Sequence, residues 1–180
     1  MLFRSPIAAK LETDEAVADS GLPFVVLRPT WFVESIAAGA VGPMLVRLPG
    51  PKDRRLSWIA GEDYGRLVDA ILERPREATG RMLDVHGAEE LTIAEATAAF
   101  ARPWRGYLAV VPLPRIALDA AALAVEPAAY VRSLLDFSFA HAAGVPRDPV
   151  ADGLHGPGIG VESCSRALFE RGELPSKRIG

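Results

Sequence analysis

Residues 20–35 read SGLPFVVLRPTWFVES, and within them a helix end, a buried strand and the start of the next element follow one another. Gly21 comes after an amphipathic run and can take the left-handed conformation that closes a helix, with Pro23 just beyond to prevent continuation. Phe24-Val25-Val26-Leu27 is short and wholly apolar, as a strand covered on both faces reads. Arg28-Pro29-Thr30 ends it, because Pro29 has no amide hydrogen for a ladder and biases Arg28 towards an extended conformation. Thr30 to Ala38 is expected to start a helix, with Thr30 as its cap and Trp31, Phe32 and Ile36 as its apolar residues. A parallel strand that ends in such a turn builds the carboxyl edge of an open α/β sheet, where ligands bind.

Moving towards the amino terminus, Ile7 to Asp19 reads as a helix. Ile7, Leu11 and Ala18 can share a face, Pro6 suits the first turn, and Lys10, Glu12, Asp14 and Glu15 lie largely elsewhere. In the other direction Pro43 to Pro49, Leu56 to Ala60, Arg81 to Val85 and Tyr107 to Pro112 read as strands, and helices alternate with them. Asp63 is expected to cap the helix that carries Leu67, Val68, Ile71 and Leu72, its charge favoured near the positive end of the dipole. Thr92 and Glu95 form a capping box at the head of another. Ala-rich helices over Arg115 to Val125 and Ala128 to Ala143 follow, with Leu118, Leu123, Val131, Leu134, Leu135 and Phe139 available to cover a sheet, a cleft or a twin subunit. Asp152 to Gly160 is expected to be a flexible Gly-rich loop, with a short helix near Val161 to Arg171. His155-Gly156-Pro157-Gly158-Ile159-Gly160 is not a dinucleotide fingerprint, which must follow a strand and open a helix inside a βαβ unit.

The chain of 180 residues carries a formal charge of −3, with 49% apolar and 24% charged residues. That is a globular balance in a length that buries about 70% of its unfolded surface. The acidic pI of 5.7 and scattered arginines argue against nucleic acid as a partner. No apolar run reaches the roughly 18 residues that a membrane span needs. The amino terminus is charged where a signal peptide would be apolar, and a single cysteine excludes an internal disulfide, so a cytoplasmic protein is expected. His86, His141 and His155 lack the spacing of a metal site and are expected at the surface or in loops. Cys164 has no basic neighbour in sequence and is expected to be an inert thiol.

The helix with Lys10, Glu12 and Glu15, the SGLPFVVLRPTWFVES stretch and the strand Leu56 to Ala60 running into Glu62-Asp63-Tyr64 together resemble the later half of the NmrA-like, atypical short-chain dehydrogenase/reductase family. The likeness spans residues 6–95. It implies an α/β fold, the C-terminal part of a Rossmann-type NAD(P)-binding sheet, with residues 1–40 its terminal βα part and 41–180 a substrate-side α/β region with a helical C-terminal part. It also implies NAD(P)H as cofactor and a small-molecule substrate. Lys10 matches the family's lysine on the nicotinamide ribose and is the candidate catalytic residue. Pro29, Thr30 and Phe32 match positions beside the nicotinamide, although Trp31 and Phe32 read equally well as core aromatics. In the tyrosine-dependent members the phenol stands four residues before the lysine, a place taken here by Pro6, so that proton relay cannot run as written. The family's Gly-rich loop and first strands would lie ahead of Met1. Three readings follow: part of an oxidoreductase completed by a homodimer or partner chain, a non-catalytic dinucleotide-sensing or interaction module, and an inactive truncated remnant.

Overall fold

The computed structural model describes residues 6–141 and 146–173. Helix α1 (Pro6–Asp19) leads through Gly21, whose φ is 71°, into strand β1 (Val25–Pro29). The left-handed conformation at Gly21 reverses the chain at little cost. β1 pairs in parallel with β6 (Arg81–Val85), from Val25 with Arg81 to Pro29 with Val85. Every residue of β1 is half-buried rather than buried, because among the described residues its other edge carries no strand.

The expected helix from Thr30 to Ala38 is not what forms. Trp31–Phe32 is a short strand, β2, and the helix shrinks to α2 (Glu34–Ala37), preceded by Val33 with no side-chain cap. The reason is a long-range pairing. Trp31 and Phe32 lie in parallel register with Trp58 and Ile59 of β5 (Leu56–Ile59), and the Val33 amide donates to the Ile59 carbonyl at 2.9 Å. Ladder bonds to a buried strand outweigh a weak local helix preference. Thr30 is therefore no helix cap; its amide donates to the carbonyl of Val85 at 3.1 Å.

The remaining strands fill two small sheets. β3 (Ala40–Val41), β4 (Met44–Arg47) and β8 (Ala109–Pro112) form one, and β2, β5 and β7 (Glu89–Leu91) the other. All four residues of β5 are buried. Because successive side chains of a strand face opposite ways, β5 divides the interior. Trp58 joins a core with Leu45, Phe100, Trp104, Leu118 and Leu135, while Ile59 joins a second with Leu67, Leu83, Val85 and Leu154. That second core is closed by α3 (Gly61–Glu73) and α8 (Pro149–His155), with the short α4 (Pro75–Ala78) before β6.

The capping box forms as expected at the head of α5 (Ile93–Ala101): Thr92 Oγ1 accepts from the Glu95 amide and Glu95 Oε2 from the Thr92 amide. These bonds to Thr92, with Arg55 nearby, hold the Glu95 carboxyl below its ordinary range. A single 3₁₀ turn (Arg102–Trp104) follows, then α6 (Arg115–Ala122) and α7 (Glu126–His141) pack on each other, and α9 (Val161–Glu170) lies against α5. Leu118 and Leu135 are buried, whereas Leu123 is 86% exposed. No helix among the described residues is long and apolar enough to cross a membrane.

Candidate functional site

The carboxyl ends of β1 and β6 stop side by side, and three facts place the residues around them. Arg28 on β1 donates through Nε to Asp14 Oδ2 of α1 at 2.8 Å and through Nη2 towards Met82 Sδ of β6 at 3.1 Å. Arg28, Met82 and Asp14 therefore mark the face of the sheet that α1 covers. Thr30 and His86 are the first residues beyond the last bonded pair, Pro29 with Val85, and the Thr30 amide donates to the Val85 carbonyl at 3.1 Å. Lys10 stands four residues before Asp14, on the same side of α1 and one turn, about 6 Å, further along its axis. Helix and strand run in opposite directions through the Gly21 turn, so this step leads towards the carboxyl edge and the level of Thr30. Lys10 is exposed there.

Of the candidates from sequence, Pro29 and Thr30 stand at the carboxyl end of the β1–β6 pair, and Lys10 lies one turn of α1 before Asp14, the residue bonded to Arg28. Phe32 stands apart from them. Its half-buried ring meets Tyr64 edge-on at 5.5 Å between centroids and packs with the core under α3. Trp31 packs on Trp58 at 5.8 Å, and its indole Nε1 donates to Ser138 Oγ of α7 at 3.1 Å.

Of the histidines expected at the surface or in loops, His86 does lie in the loop after β6 but is buried, and His155 is buried at the end of α8. His86 is 5% exposed and His155 is 6% exposed, and His155 Nε2 lies 3.3 Å from the His86 carbonyl oxygen. The side chain of His141 lies outside the described residues. His86 is buried because the residue after it closes down on β5. The Gly87 amide donates to Ser57 Oγ at 2.9 Å, and a Cβ on Gly87 would stand 1.6 Å from the Trp58 carbonyl oxygen, so only glycine fits. Arg147 Nη1 donates to the Gly87 carbonyl at 3.1 Å from the opposite side. Among the described residues, Thr30 Oγ1 and both ring nitrogens of His86 are buried without a hydrogen-bond partner. Each such group costs about 1–3 kcal/mol if it stays unpaired, so each calls for a partner, an ordered water included. The burial of His86 was not legible in the sequence around it.

The Gly-rich segment after α8 is not a loose loop. Ile159 donates its amide to Asp63 Oδ2 at 2.7 Å and Val161 its amide to Glu89 Oε2 at 2.8 Å, while Arg66 Nη2 reaches the Pro157 carbonyl at 3.2 Å. Two carboxylates thus hold the segment by its backbone. Asp63 is fully buried and also accepts from the Arg66 guanidinium. Its role is this anchoring rather than a helix cap, since Ala60 stands at the cap position of α3 with no side-chain bond. The α3 amino end is met instead by Glu34, whose Oε1 accepts the Gly61 amide at 2.9 Å. Cys164 Sγ lies 3.5 Å from the same oxygen. Burial first, and the neighbouring Glu34 carboxylate second, push its thiol up to about 12, which agrees with an inert thiol. Among the described residues no cluster of His, Cys, Asp and Glu is arranged to hold a metal ion. A shallow depression of about 330 Å³ lined by Glu73 to Glu77 lies at the amino end of β6, away from this edge.

No protein-family model and no curated protein matches the chain. Solved structures do match its fold. An NADPH-dependent quinone oxidoreductase from Escherichia coli, in its NADPH complex, superposes with a TM-score of 0.69 at 20% identity over 91% of this chain and 60% of that one. Leucoanthocyanidin reductase from Vitis vinifera gives 0.67 at 16% identity, over 89% of this chain and 60% of its own. NmrA, a negative transcriptional regulator solved with NADP, gives 0.61 at 16% identity, over 96% and 60%. These are NAD(P)-binding proteins of Rossmann type, so the chain has an α/β fold of that class. More narrowly, its fold is that of the NmrA-like reductases, epimerases and regulators, in part: the chain spans between 51% and 62% of the lengths of these neighbours.

Proposed function

We propose that the chain is the nicotinamide- and substrate-side portion of an NAD(P)-dependent oxidoreductase of the NmrA-like type. The observation that carries this reading is the position of Pro29 and Thr30 at the carboxyl end of a parallel strand pair, with the Thr30 hydroxyl buried and unpaired among the described residues and α1, the helix of Lys10, tied to the same strand through Asp14 and Arg28. That is where an open α/β sheet takes its ligand. A nicotinamide ribose fits the donor set, since Lys10 offers three N–H donors and Thr30 a hydroxyl that both donates and accepts. When bound, NAD(P)H supplies hydride chemistry, and the residues named here bind and orient it. Neighbours of the same fold crystallise with NADP, NAD or NADPH, which supports a dinucleotide without choosing between the two. The substrate is a small molecule. The edge of β1 opposite β6 carries no strand among the described residues, and a second copy or a partner chain that brings the phosphate-binding strands would add there.

The second reading is a dinucleotide sensor without catalysis. Pro6 in place of a tyrosine favours it, as does a neighbour described as a transcriptional regulator. Calorimetric titration with NADPH and NADH, repeated on Lys10→Ala, tests the first reading. Saturable binding weakened about tenfold by loss of the ribose contact is expected. Binding that is unaffected by Lys10→Ala removes Lys10 from the site.

A further inference from the structure

Two half-buried cations have nothing to neutralise them. Among the described residues neither Arg47 nor Arg132 has an ion pair or a side-chain hydrogen bond, and the other cations without a partner there are exposed. Arg132 Nε is fully buried and unbonded, while its Nη atoms keep contact with solvent. A guanidinium that loses hydration without gaining a partner is unfavourable, and charges taken out of water are as a rule paired.

Both arginines face one core. Arg47 ends β4 two residues after Leu45, hence on the same side of the strand, and Leu45 belongs to the core of Trp58. Arg132 shares a side of α7 with Ala128, Leu135 and Phe139 by helical spacing, and those residues pack on that same core. Three contacts bring α7 to the end of β4. The Leu113 amide donates to the Arg47 carbonyl at 2.9 Å, and Arg115, two residues on, reaches Asp136 Oδ1 of α7 at 2.8 Å. Phe139 stands against Gly50, where a Cβ would lie 3.1 Å from its Cζ. Asp136, one turn after Arg132 and its nearest carboxylate in sequence on α7, is thus already taken by Arg115.

We propose that Arg132, with Arg47, binds the oxyanion of a small molecule, a carboxylate or a phosphate group. A guanidinium fork gives such a group two parallel N–H bonds, stronger where water is partly excluded. The same helix reaches the candidate site: Ser138, about 9 Å along α7 from Arg132, accepts from the indole of Trp31, the residue after Thr30. The ligand is then an acid or a phosphate ester. Its assignment as substrate rests on the oxidoreductase reading; the oxyanion binding itself does not.

The test is calorimetric titration of the chain with succinate and, separately, with inorganic phosphate. Saturable binding of at least one is expected; succinate alone names the group as a carboxylate, phosphate alone as a phosphate. Arg132→Gln and Arg47→Gln should each weaken it about tenfold, the effect of a lost charged hydrogen bond. Arg54→Gln, at an exposed cation without a partner, should leave it unchanged. No saturable binding of either probe overturns the proposal, and so does equal weakening in Arg54→Gln, which would mark a diffuse charge effect. Since neither guanidinium bonds the protein, both glutamine variants should unfold at an unchanged or higher urea concentration. Should Arg132→Gln not fold, Arg132→Lys decides: it keeps the charge and loses the fork, and wild-type affinity in that variant overturns the proposal as well. NADPH titrated in parallel separates the two readings. NADPH binding with no oxyanion binding removes this site and leaves the dinucleotide; oxyanion binding with no NADPH binding does the reverse.

Discussion

Replacing Asp63 separates two roles that its carboxylate could play, and their magnitudes differ enough to measure. Asp63 is wholly buried, accepts the Ile159 amide at 2.7 Å and faces the Arg66 guanidinium. The Arg66 side chain is 41% exposed, so its charge remains solvated when the partner is removed. The ion pair then accounts for less than about 1 kcal/mol. The Ile159 amide, by contrast, loses its acceptor in a part-buried place, which costs about 1–3 kcal/mol, and the missing side-chain atoms leave a small void. Asp63→Ala should therefore cost about 2–4 kcal/mol. Asp63→Asn keeps a carbonyl oxygen for Ile159 and loses only the charge, for about 1 kcal/mol. Urea unfolding followed by circular dichroism would read both values from the midpoints, with the slope unchanged if the unfolded state is unaffected. In a domain of this size the alanine variant should also melt about 4–16 °C lower. Equal losses in the two variants would show that charge, not the acceptor for the Gly-rich segment, is what Asp63 contributes, and the anchoring argument would fail.

Three further outcomes follow from the packing. Gly87→Ala places a Cβ 1.6 Å from the Trp58 carbonyl oxygen; β5 must part from the turn, and a loss of at least about 3 kcal/mol in urea unfolding is expected, so a variant of unchanged stability would refute the close approach. Thr92→Ala should cost about 1 kcal/mol. Because the Glu95 carboxyl titrates below its ordinary range through its bonds to Thr92, the box contributes fully above the unfolded carboxyl's pKa and fades as pH falls through the lowered folded one. The stability gap between wild type and Thr92→Ala should accordingly narrow in acid, and a gap that widens there contradicts the assignment. Cys164, with its thiol pushed up to about 12, should resist iodoacetamide in the folded chain at pH 8 and react once urea unfolds it; rapid alkylation of the native protein would place the thiol elsewhere.

The strands at the heart of the sheet were legible because their apolar runs and breakers are local. Arg81 to Val85 forms the strand expected of it, and the Phe24 to Leu27 run lies in or just before β1. The Thr92–Glu95 box could be read for the same reason: all of its bonds close within four residues. Trp31 and Phe32 misled, since their apolar spacing suits a helix while their actual partners, Trp58 and Ile59, lie far along the chain. The Gly-rich segment misled similarly. Its composition suggests a loose loop, but Asp63 and Glu89 hold it through amides that any sequence would offer. Lys10, Pro29 and Thr30 were singled out through a family likeness rather than through spacing. His86 escaped because its burial depends on the register of β6 against β1 and on the tight contact of Gly87 with β5, neither of which is written in the residues around it.

The central claim is that the carboxyl edge of β1 and β6 takes the nicotinamide side of a dinucleotide. It is tested most directly by mapping amide shifts of the ¹⁵N-labelled chain on titration with reduced nicotinamide mononucleotide, with adenosine monophosphate as the comparison. The account predicts saturable shifts for the mononucleotide centred on Lys10 and Thr30, and none there for adenosine monophosphate. Shifts confined to other parts of the chain, or equal responses at Thr30 to both probes, would contradict it.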